Sequence, residues 1–65
     1  MELTVGEKIM IYRKRKRMNQ SELAEKVGVA VMTISRIEKG NEAPLTVTIR
    51  AIADALGVSL DELSY

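Results

Sequence analysis

Apolar residues recur along this chain at three- and four-residue intervals, in short blocks broken by polar turns. Leu23 and Val27 fall one helical turn apart, as do Ile34 and Ile37. Ile49, Ile52, Ala53 and Leu56 keep the same spacing. Nothing alternates convincingly with period two. The stretch LTVTI comes closest, but it runs directly into RAIADAL, whose spacing is helical. Polar punctuation divides these blocks. Thr4 with Glu7, Asn19 with Glu22, and Ser59 with Glu62 each put a capping side chain three residues ahead of a glutamate. In that arrangement the cap oxygen accepts from an orphan backbone N–H while the glutamate reaches back to the N–H of the cap residue. Gly28, Gly40 and Gly57 each close an amphipathic stretch, and Pro44 bars a continuous helix across NEAP. The pattern predicts an all-α domain of five helices, at 5–17, 20–27, 31–39, 47–56 and 60–64.

At 65 residues the chain has room for one domain, 1–65, and for a small core. It contains no cysteine, histidine, tryptophan or phenylalanine. Disulfides and thiolate or imidazole metal ligands are therefore excluded, and general acid–base chemistry would need a tuned carboxylate or lysine, for which no paired-acid arrangement stands out. The expectation is a protein that is not an enzyme and needs no cofactor. Asp61 and Glu62 read as first-turn acids facing a helix dipole. No apolar run approaches the roughly 20 residues of a membrane span, and no secretory signal opens the chain, so a soluble cytoplasmic protein is expected.

Charge changes the picture more than composition does. Residues 1–40 hold nine Lys/Arg against five Asp/Glu, whereas residues 41–65 hold one against four. A net charge of +1 thus conceals a basic and an acidic part, which hints at a polyanionic partner. The run RKRKR, Arg13 to Arg17, is the densest basic stretch, and by itself it reads as a solvated helix face.

Residues 20–39 hold two short apolar-faced segments around Gly28. Ala24 is small enough for the second helix to cross close over the first. Gly28 permits a sharp turn, and Val29 plugs the corner. Two short helices at a steep angle, joined by a three- or four-residue turn, make a helix-turn-helix.

With these residues placed, NQSELAEKVGV, TISRIEKG and IRAIADALGVSLDEL together resemble the phage Cro and repressor-type helix-turn-helix domains, the XRE family. The resemblance runs from Gly6 and Ile9 to Leu63 and is nearest in layout to the DNA-binding domains of lambdoid phage repressors. It implies a five-helix domain that binds double-stranded operator DNA, usually as a dimer, to regulate transcription.

The resemblance also assigns roles. The helix at 31–39 would lie in the major groove with its first residues at base edges. Its inner face is Ile34 and Ile37. Its outer face is Val31, Met32, Ser35, Arg36 and Lys39, with Thr33 at the flank. Gln20 matches the family's phosphate-binding glutamine, at a helix end suited to anions. Lys39, Asn41 and Lys26 are further candidates for backbone contacts, which set register and not sequence preference. Arg13 and Glu38 fall where the resemblance implies a partly buried ion pair. A homodimer on DNA would use residues 57–65, around Leu60, Leu63 and Tyr65.

The tip of this helix departs from the family. Ala30, Val31 and Met32 stand where members commonly carry a Ser or Thr cap and a Gln. Ala30 cannot cap, and Val31 and Met32 can only touch a thymine methyl or fill space. Arg36 is left as the strong base reader, with guanine its natural target. Three readings follow: thymine-methyl contact plus Arg36 on guanine; a protein contact, as in antitoxins or docking modules; or a repressor-like scaffold, designed or diverged, without maintained base contacts.

Overall fold

The computed structural model describes residues 2–64. Five helices follow one another: α1 (Val5–Arg15), α2 (Gln20–Val27), α3 (Val31–Lys39), α4 (Thr46–Leu56) and α5 (Leu60–Ser64). All three capping boxes form. Thr4 and Glu7 exchange bonds of 2.9 and 3.1 Å, Asn19 and Glu22 bonds of 2.9 and 2.7 Å, and Ser59 and Glu62 bonds of 3.3 and 3.2 Å.

Two boundaries differ from the pattern-based expectation. Helix α4 begins one residue earlier, at Thr46, with Leu45 as its N-cap. Helix α1 ends two residues earlier, at Arg15, because Arg17 takes a left-handed φ of 55°. The cap of α2 requires that early stop. Asn19 must be extended (φ −87°, ψ 172°) to present its side chain to Glu22, so the chain has to leave the helix before it.

Each helix contributes to one core. Ile9, Leu23, Ile34, Ile52 and Leu63 are all fully buried, and Ala24 is 3% exposed where α2 and α3 cross. Val29 packs against this core at the corner, as the turn requires, while Gly28 carries the chain through φ 87°. Helix α3 also rests on α1, and Gly6 is the reason it can. An added β-carbon there would overlap the Ile37 carbonyl oxygen and stand 2.8 Å from that of Glu38. Helix α5 packs on α1 and α4.

That packing corrects one expectation. Leu63, proposed as part of a dimer surface, is a core residue with no exposed area. In a helix of five residues only one side can face the core, and here Leu63 takes it while Leu60 stays half-buried at the edge. Tyr65 lies outside the described residues. No helix among the described residues is long and apolar enough to cross a membrane.

Candidate nucleic-acid interface

The corner between α2 and α3 buries one side of α3 and leaves the other bare. Ile34 and Ile37 point inward, fully or almost fully buried. On the opposite side Val31 is 44% and Met32 55% exposed, less than the 71% of Leu45 and Val47 at the start of α4. Arg36 and Lys39 are exposed one turn further on, and Thr33 and Ser35 are half-buried at the margins. Neither cation makes an ion pair among the described residues. The structure thus gathers Val31, Met32, Arg36 and Lys39 on one surface. Asn41 follows just beyond, where its N–H closes the helix on the Arg36 carbonyl at 2.9 Å.

The start of α3 is uncapped. Ala30 is extended (φ −70°, ψ 147°) like any N-cap, but it offers no side-chain acceptor. The N–H groups of Val31 and Met32 are therefore left to solvent or to a ligand, while that of Thr33 reaches the Ala30 carbonyl at 3.0 Å.

Behind this surface sits a buried polar network that crosses three helices. Arg13 Nε donates to Glu38 Oε2 at 2.6 Å, and Arg13 Nη2 donates to Glu38 Oε1 at 3.0 Å. The bidentate pair ties α1 to the last turn of α3, with both side chains almost wholly buried. Arg13 Nη1 donates further to the Met18 carbonyl at 2.8 Å, which fixes the loop between α1 and α2. Gln20 Nε2 donates to Glu38 Oε1 at 3.0 Å, bringing in the first residue of α2. No buried side-chain nitrogen or oxygen among the described residues lacks a partner.

The ion pair was expected; the attachment of Gln20 to it was not. The two residues are 18 positions apart, and only the folded crossing of α2 and α3 brings them together. One amide hydrogen and the carbonyl oxygen of Gln20 remain available. Glu22 N–H is already satisfied by Asn19, which leaves the N–H groups of Gln20 and Ser21 ahead of the first intrahelical bond. The basic excess of the first forty residues lies on α1 and just after it, with Lys8 and the run Arg13–Arg17, whereas Lys26, Arg36 and Lys39 of α2 and α3 are matched by Glu22, Glu25 and Glu38, and Asp61 and Glu62 make α5 acidic.

A helix crossed over a second by a glycine turn, with a solvent-facing basic side, is the defining unit of the helix-turn-helix class. The chain belongs to the helix-turn-helix family, whose model matches residues 9–63. It is 37% identical over 59 residues to the uncharacterised HTH-type transcriptional regulator YazB of Bacillus subtilis (strain 168), covering 91% of this chain and 86% of that protein. It is 33% identical to the immunity repressor protein of Bacillus phage phi105, covering 94% of this chain but only 42% of the repressor. Among solved structures it resembles the P22 c2 repressor in complex with a synthetic operator. There the TM-score is 0.92 at 32% identity, over 97% of this chain and 96% of that one.

Proposed function

We propose that this helix-turn-helix transcriptional regulator reads its DNA with an apolar helix tip and a single arginine. Helix α3 lies in the major groove. Val31 and Met32 pack on thymine methyl groups, and Arg36 pairs with guanine O6 and N7. Gln20, Lys39 and Asn41 hold phosphates on either side and so fix the register of the helix. The observation that carries this reading is the exposure of Val31 and Met32 beside an unpaired Arg36 on the bare side of α3. In water those two apolar side chains gain nothing, whereas against thymine methyls they bury their surface.

A second copy would meet the first through the turn between α4 and α5 and the start of α5, residues 57–61, so that two recognition helices face a two-fold symmetric site. Leu63 takes no part, because it fills the core.

The test is a selection from random duplex DNA at low and near-physiological salt. The expected result is a two-fold related motif with guanine and thymine in each half. Arg36→Ala then costs about 1–3 kcal/mol in binding and relaxes one base pair. Replacing the selected thymines by uracil removes the methyl groups. It should weaken the parent, and should weaken the Met32→Ala variant much less. Binding without any motif, vanishing as salt rises, would leave phosphate attraction alone and overturn the base-reading role.

A further inference from the structure

The run Arg13 to Arg17 divides once its members are placed. Arg13 is spent on Glu38. Arg15 lies over the Tyr12 ring, 5.4 Å from its centroid. Lys16 lies over the end of α4, its Nζ 3.2 Å from where a β-carbon of Gly57 would stand, at a helix end that favours a cation. Lys14 occupies the last turn of α1, where a cation favours the helix's own carbonyl end. Arg17 has no such explanation. It is exposed, lies outside the helix, and its guanidinium has no partner among the described residues.

Its backbone makes the position more pointed. Arg17 N–H bonds the Lys14 carbonyl at 2.9 Å and Met18 N–H the Arg13 carbonyl at 3.1 Å, so the left-handed residue closing α1 is Arg17. Helices α2, α3 and α4 are closed in the same way by Gly28, Gly40 and Gly57, which pay no steric penalty there. Arg17 is the one residue with a side chain that holds a positive φ among the described residues. A bulky residue in this region is disfavoured, and glycine would be the cheaper choice.

The loop that carries it is rigidly placed. Met18, its neighbour, is held by Arg13; Arg13 holds Glu38; and Glu38 holds Gln20. Arg17 is three residues ahead of Gln20, at most about 11 Å of extended chain. We infer that Arg17 is a DNA-backbone contact, presented by the left-handed closure of α1 to the phosphate neighbouring the one at the start of α2. This rests on the DNA reading above and adds a residue to it. The conformational penalty persists because an arginine here neutralises a phosphate, which glycine cannot do.

Arg17→Gly moves two readouts in opposite directions. It removes the strain and the charge together, so its melting temperature should rise by a few degrees while its affinity falls. With fluorescently labelled mixed-sequence duplex and the selected site, titrated over a range of KCl, the loss should be several-fold at low salt and equal on both duplexes. The slope of log affinity against log salt should shrink by about 0.9, the value for one phosphate. Arg17→Lys keeps the charge and should retain the parent slope. A glycine variant with the parent's affinity and slope would overturn the role of Arg17 alone. A parent that binds neither duplex at low salt would overturn the DNA reading, and this contact with it.

Discussion

An added β-carbon at Gly6 would overlap the Ile37 carbonyl oxygen, and both that oxygen and its Glu38 neighbour belong to backbone that cannot swing aside. Gly6→Ala should therefore force α1 away from α3 and break the geometry of the Arg13–Glu38 pair. The expected outcome is a chain without a cooperative thermal transition, read by circular dichroism. Ala30 is the opposite case, a position where a better residue is easily named. Its backbone already has N-cap geometry but no acceptor, so Ala30→Ser should add about 1 kcal/mol. For a domain of this size that is a rise of about 4–8 °C in Tm. An unchanged Tm would mean the first turn of α3 is satisfied some other way. Ala30 was legible as a missing cap in the sequence, since capping depends on one side chain and its spacing. Arg17 was not. Arginine is a good helix former, and nothing in RKRKR marks a stop. The stop comes from Asn19, whose capping geometry excludes a helix continuing into it.

At the scale of helices, the network of Arg13, Glu38 and Gln20 joins α1, α2 and α3 through one carboxylate. Removing the anion while keeping its shape, as in Glu38→Gln, leaves a buried guanidinium without a counter-charge. The expected cost is about 3–5 kcal/mol in denaturant unfolding. Replacing both partners by methionine should recover part of that stability, because an apolar pair has no charge to desolvate, although the Met18 carbonyl then loses its donor. Such a double variant also frees the Gln20 amide, so it should fold yet bind DNA more weakly than the parent. If it binds as tightly, the network is scaffold only and does not position Gln20. The resemblance carried the ion pair because Glu38 sits inside TISRIEKG and Arg13 falls within the stretch from Gly6 and Ile9 onward that the resemblance covers. It could not carry the third member, since that bond depends on how α2 crosses α3. The face of α5 was misread for a related reason. Leu60 and Leu63 are one turn apart and equally apolar, and only the placement of α1 and α4 decides that Leu63 goes inward.

Across the whole molecule, the helix-turn-helix unit cannot be separated from the rest. Leu23 and Ile34, which give α2 and α3 their inner faces, share one cluster with Ile9 of α1, Ile52 of α4 and Leu63 of α5. A domain of 65 residues has a total stability of about 3–10 kcal/mol. Truncating one fully buried leucine removes about 2–5 kcal/mol of it. Leu63→Ala, on the helix furthest in sequence from the proposed DNA-reading surface, should thus unfold much of the population in α2 and α3 as well. Ellipticity at 222 nm and the NMR signals of Ile34 should then be lost in a single shared transition. Ligand linkage gives the companion result. DNA binds only the folded form, so the selected duplex at about a hundred times its Kd should restore roughly 2.7 kcal/mol, enough to refold most of the variant. If Leu63→Ala instead melts α5 alone and leaves α3 folded and binding, the core is two units and not one. If the duplex fails to refold it, the damage reaches the binding surface directly, through the contact of α1 with both α3 and α5.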